Sequence, residues 1–112
     1  MTITIWHNPK CGTSPSVLAL IRERGIEPVV VEYLRFPPDA ATLAQVAAAM
    51  GGAAALLRVN GTSAAEMGLI GAEDAVILTA MAMEPVLINR PVVIAPRGTI
   101  LARPAESVLA LL

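Results

Sequence analysis

The chain holds one cysteine, Cys11, in the segment Trp6-His7-Asn8-Pro9-Lys10-Cys11-Gly12-Thr13-Ser14-Pro15. An unperturbed thiol, with a pKa of about 8.5, is only a few per cent thiolate at neutral pH; helix N-termini and nearby cations lower reactive thiols to roughly 3.5–7.5. The segment lies between an apolar strand and an apolar helix. The backbone N–H groups of Gly12, Thr13 and Ser14 therefore stand where an anion or a thiolate is favoured. His7 and Lys10 are candidate cationic neighbours, although Lys10 reads first as a solvated side chain and Thr13 and Ser14 read first as helix caps. Cys11-Gly12-Thr13-Ser14 has serine where a C-x-x-C motif carries its resolving cysteine. A disulfide formed at Cys11 must then be resolved by a thiol from outside the chain.

Three arginines stand at element boundaries, where a shared site could gather them. Arg58 lies between Leu57 and Val59-Asn60-Gly61, Arg90 precedes Pro91, and Arg103 precedes Pro104. A guanidinium forks around a tetrahedral oxyanion through two parallel hydrogen bonds, so arginines gathered at a thiol would suit an oxyanion substrate. Arg22, Arg24, Arg35 and Arg97 read as ordinary surface residues.

The elements that must position these groups are legible in outline. Thr2 to Trp6 reads as a strand, residues 7–14 as a loop, and Pro15 to Arg24 as a helix closed by Gly25, with Pro15 expected at its first position. Pro28 to Leu34 reads as a second strand, which gives a β-α-β unit with parallel strands. Asp39 is the expected N-cap of a helix through Met50, stopped by Gly51-Gly52. Ala53 to Leu57 reads as a short helix, Ser63 with Glu66 as a capping box over another ending near Gly68, and Ala72 to Met83 as a fourth helix. No strand is expected in this helical segment, about 39–84. Pro91 to Ala95 and Ile100 to Ala102 then form a hairpin around Pro96-Arg97-Gly98-Thr99, and Pro104 starts a final helix. The order β-α-β, helical region, β-β-α is that of an α/β thioredoxin-like fold with a four-stranded mixed sheet, spanning residues 1–112 as a single domain. In that fold the residue before the third strand lies beside the cysteine loop, so Arg90 would face the thiol and Arg90–Pro91 would be a cis peptide.

Composition removes several classes. The chain has 112 residues, 55% of them hydrophobic, and a formal net charge of −1. No basic excess exists to hold a phosphate backbone, so nucleic-acid binding is not expected. The longest uncharged stretch, 18 residues between Asp39 and Arg58, is alanine-rich and interrupted by Gly51-Gly52, which excludes it as a membrane span. The N-terminus lacks the basic region of a signal peptide, and a single cysteine suits the reducing cytoplasm. One histidine and one cysteine make a conventional zinc site improbable, and no bound cofactor is expected.

His7-Asn8-Pro9-x-Cys11-Gly12-Thr13-Ser14, Ala55-Leu56-Leu57-Arg58, Leu87-Ile88-Asn89-Arg90-Pro91 and Ala102-Arg103-Pro104 together resemble, in order, the motifs of the glutaredoxin-coupled arsenate reductases, the ArsC family. The resemblance covers nearly the whole chain. It implies a cytoplasmic oxidoreductase of arsenic detoxification, with Cys11 as nucleophile and His7 helping to keep it ionised. It assigns the arsenate oxyanion to Arg58, Arg90 and Arg103, makes glutathione the co-substrate and names glutaredoxin as partner. Relatives on the same fold leave two other readings open: a different glutathione-dependent thiol oxidoreductase, or a non-catalytic regulator like the Spx proteins.

Overall fold

A computed structural model describes residues 2–112. The chain falls into two compact units, one built from the residues up to Phe36 together with Arg90–Leu112, the other from Pro37–Asn89.

The first unit carries the sheet. Its strands are β1 (Thr4–Trp6), β2 (Val29–Val31), β3 (Val92–Ala95) and β4 (Gly98–Leu101), in the spatial order β2-β1-β3-β4. β1 runs parallel to β2, with Ile5 opposite Val30, and antiparallel to β3, with Ile5 opposite Val93. β3 and β4 form the hairpin, in which Ala95 pairs with Gly98. Only Pro96 and Arg97 remain for its turn, so β4 begins earlier than the sequence suggests. Alternation along the strands sends Ile3, Ile5 and Val93 to one face, where Val17 and Ile21 of α1 (Thr13–Glu23) and Val108 and Leu111 of the C-terminal helix close the core. Fully burying an aliphatic side chain of this size contributes about 1.5–3 kcal/mol, so this small cluster holds α1 against β1. The C-terminal helix, Ala105–Leu111, is a 3-10 helix rather than the expected α-helix.

β2 is shorter than its apolar run. Val29 donates to Ile3 and Val31 accepts from His7, but from Glu32 the backbone turns, with the N–H groups of Arg35 and Phe36 both reaching the Glu32 carbonyl. Tyr33 is buried but lies beyond the strand. α1 also departs from expectation. It starts at Thr13 with Gly12 as N-cap and no side-chain cap. Pro15 is therefore its third residue, not its first; the first four helical N–H groups have no intrahelical acceptor, so its missing donor costs nothing there.

The second unit is helical: α2 (Ala40–Ala49), α3 (Ala53–Leu56), α4 (Asp74–Met83) and a 3-10 turn at Pro85–Leu87. Asp39 caps α2 as expected, its carboxylate accepting from the Thr42 N–H at 2.8 Å. The helix expected over Ser63–Gly68 is a run of turns. The Ser63 hydroxyl reaches the Met67 sulfur at 3.3 Å instead of forming a capping box. Gly61, Gly68 and Gly71 all have positive φ, which ends any helical winding on both sides. One isolated antiparallel bridge, Leu57 to Ile88, is the only strand-like pairing among this unit's described residues. No helix among the described residues is long and apolar enough to cross a membrane.

Candidate active site

β1 delivers His7 and Asn8 to the loop, and a turn closed by the Cys11 N–H on the Asn8 carbonyl (3.0 Å) lifts Cys11 to the start of α1. The Asn8 side chain supports the same turn, its Oδ1 accepting from the Lys10 N–H at 3.0 Å. Asn-Pro favours such a side-chain-braced turn, so this role of Asn8 had a signal in the sequence, though Asn8 is not among the expected site residues.

Cys11 is largely covered, at 8% exposure. Burial pushes its thiol up, because the thiolate is the form that loses solvation. The N–H groups of Ser14 and Thr13, a hydrogen bond from the Arg103 guanidinium and the charge of Arg90 act in the opposite direction and prevail, so the Cys11 pKa lies below its ordinary value. Arg103 Nη1 stands 3.6 Å from the sulfur and donates also to the Arg90 carbonyl at 3.2 Å. The helix start leaves its donors free for the sulfur, because Gly12 has no side chain to cap them and no acid occupies the first turn.

The surroundings of His7 favour its neutral form. Burial lowers its pKa, outweighing Glu32, which raises it, while Arg22 lowers it further. The neutral ring reaches Ser14, with Nδ1 2.6 Å from Oγ. The same oxygen accepts from the Asn8 N–H at 3.1 Å. A hydroxyl already accepting in this way has its own proton to give, which fits Nδ1 as acceptor and the ring proton on Nε2. Ser14, fully buried, thus ties the first turn of α1 to the exit of β1.

Both Arg90 and Arg103 precede cis prolines, Pro91 and Pro104. The first cis bond is the expected one; the second is not, although the Arg-Pro dipeptide is the same. The first unit therefore brings together His7, Cys11, Gly12, Thr13, Ser14, Arg90 and Arg103. Arg58 belongs to the second unit, where its backbone N–H donates to the Leu87 carbonyl at 2.8 Å and its Nε to the Asn60 carbonyl at 3.0 Å. Thr62 fixes that loop from beneath, its hydroxyl meeting the Arg58 carbonyl at 2.8 Å.

A mixed four-stranded sheet with a single cysteine at the head of its first helix and cis prolines flanking the third and fourth strands defines a thioredoxin-like protein. Within that class, the chain belongs to the ArsC family, whose model matches residues 6–111. It is 53% identical to an arsenate reductase from Rhizobium meliloti over 115 residues, covering 100% of this chain and 82% of the relative. An arsenate reductase from Escherichia coli K12 is 46% identical over 115 residues, covering 98% of this chain and 80% of its own. Among solved structures, an arsenate reductase from Vibrio cholerae superposes with a TM-score of 0.92 at 34% identity, covering 100% of this chain and 98% of that one.

Proposed function

We propose that the protein is an arsenate reductase of the glutathione- and glutaredoxin-coupled type, acting in the cytoplasm as one thioredoxin-like domain. What supports the reading above all is the Cys11 thiol, its pKa lowered by the Ser14 and Thr13 N–H groups and by Arg103 at 3.6 Å, together with relatives at 46–53% identity that are arsenate reductases. The Cys11 thiolate attacks arsenate; an As–O bond breaks, the oxygen leaves as water, and a Cys11–S–As(V) adduct forms. A glutathione thiolate then attacks the Cys11 sulfur. The S–As bond breaks with its electron pair on arsenic, which leaves as arsenite, As(III), while the two sulfurs are oxidised to a disulfide. The chain has no second cysteine. Glutaredoxin, or a second glutathione, must therefore attack the glutathionyl sulfur and return Cys11 to its thiolate.

In this scheme Arg103 and Arg90 neutralise the oxyanion, and the N–H groups of Gly12, Thr13 and Ser14 line its cradle. His7 acts through Ser14 on the helix start. Arg58 is assigned to the oxyanion by the resemblance alone. The test is arsenate reduction with glutathione and a cognate glutaredoxin. Cys11→Ser abolishes turnover, and Arg90→Ala, Arg103→Ala and Arg58→Ala each lower it strongly. Absence of turnover in the unmodified protein would overturn the reading. Full activity after replacing Arg58 and Arg103 would move the substrate away from a tetrahedral oxyanion, toward another glutathione-linked thiol reaction.

A further inference from the structure

Beside the thiol loop, entirely within the first unit, lies a cleft of about 260 Å³ lined by residues 7–10 on the thiol loop and by Glu32, Leu34 and Arg35. One wall is the turn that ends in Cys11, pinned by the Cys11 and Lys10 N–H groups on Asn8. The other is the turn after β2, pinned by the Arg35 and Phe36 N–H groups on the Glu32 carbonyl. Arg35 meets Glu32 only loosely, at 3.7 Å between exposed side chains, and its guanidinium lies 5.6 Å from the Phe36 ring centre. It is thus kept near the cleft without being consumed by a tight ion pair. Half-exposed Leu34 adds apolar surface to the lining. Two cations and one carboxylate around one cleft complement a small molecule with two carboxylates and one ammonium, which is the charge pattern of glutathione at neutral pH.

We propose that this cleft is the glutathione subsite: Lys10 and Arg35 take its carboxylates and Glu32 its ammonium, placing its sulfur at Cys11. The assignment rests on the glutathione-coupled reading above. Lys10 and Cys11 are chain neighbours, with Cα atoms about 3.8 Å apart, and an extended tripeptide spans roughly 10 Å, so a ligand anchored at Lys10 reaches the sulfur. A larger cleft of about 560 Å³ opens on the α1 side of His7, but its cation, Arg22, is held by Glu27 through two contacts of 3.0 Å, and its other charge is Glu23. It therefore offers no cation to a carboxylate.

The test separates the subsite from the reading it rests on. S-methylglutathione, whose sulfur cannot react, is titrated into the protein by calorimetry, and glutathione-dependent arsenate reduction is measured on the double variant Lys10→Ala/Arg35→Ala. Exposed cation–carboxylate contacts are individually weak, so the double variant is expected to raise the KM for glutathione by about 3–10-fold. The kcat at saturating glutathione and the KM for arsenate stay unchanged, and Lys10→Arg/Arg35→Lys restores most of the affinity. N-acetylating the S-methylglutathione weakens its binding to the unmodified protein but not to Glu32→Gln. An unmodified protein that turns over with glutathione while the double variant keeps its KM removes the subsite and leaves the reading standing. An unmodified protein that neither turns over with glutathione nor binds S-methylglutathione removes both.

Discussion

Ser14→Ala tests how the thiol site is held together. The hydroxyl is fully buried and shares hydrogen bonds with His7 Nδ1 at 2.6 Å and the Asn8 N–H at 3.1 Å, both partners being only 9% exposed. Removing it strands one buried backbone donor and one ring nitrogen, and each unsatisfied buried group costs about 1–3 kcal/mol. The ring can rotate toward other partners, whereas the Asn8 N–H is fixed by the turn, so the lower half of the summed range, roughly 2–4 kcal/mol, is expected. That is a large share of the roughly 5–15 kcal/mol that holds a domain of this size together. Urea unfolding should show the unfolding free energy falling by this amount, with a lower midpoint and an unchanged slope. Loosening the first turn also withdraws the Thr13 and Ser14 N–H groups from the sulfur, so the Cys11 pKa, read from the pH dependence of alkylation, should rise. A cycle with His7→Ala should give a coupling energy of about 1 kcal/mol or more, as groups in direct contact do. A loss below about 0.5 kcal/mol with no coupling would refute the buried clamp, since two orphaned buried groups cannot be that cheap.

Three further outcomes follow from the same geometry. Arg103→Ala removes the guanidinium 3.6 Å from the sulfur, so alkylation should need higher pH and added arsenate should slow it less than in the unmodified protein; Arg103→Lys, a point charge without the fork, should recover the charge effect better than the anion affinity. Burial holds the folded His7 below its ordinary value of 6.5, so the unfolded chain binds more protons as pH falls below about 6.5, and stability should decline on acidification toward pH 5. Thermal melts of His7→Gln should show that decline flattened. Cys11 carries the same sign higher on the scale: with its folded pKa lowered, it adds stability that is complete above the unfolded thiol value and lost as pH falls through the folded one, and Cys11→Ser should remove that alkaline gain. In the second unit, Asp39→Ala removes the carboxylate that caps α2 through Thr42 and should lower the urea midpoint, while Asp39→Asn should lower it much less.

What the sequence made legible, and what it hid, comes down to which signals have one structural meaning. Val29-Val30-Val31, the apolar spacing of Val17 and Ile21, and Asp39 before an alanine-rich run each point to one element, and each is found there. Ser63 with Glu66 had two meanings. Three glycines with positive φ decided between them, and a glycine's φ is not written in its neighbours. Ser14 was the more consequential ambiguity. Serine at a helix start reads as a cap because its oxygen can accept the N–H groups left open there. Here the hydroxyl turns back to His7 and Asn8 at the end of β1, and the cap position falls to Gly12, which has no side chain to offer. The two uses exclude one another. An N–H taken by a capping oxygen is lost to a thiolate, so a helix capped well by Thr13 or Ser14 would hold Cys11 less firmly as an anion. Leaving α1 uncapped and bracing its first turn from below keeps the Thr13 and Ser14 donors on the sulfur, where together with Arg103 and Arg90 they outweigh the cost of burying it.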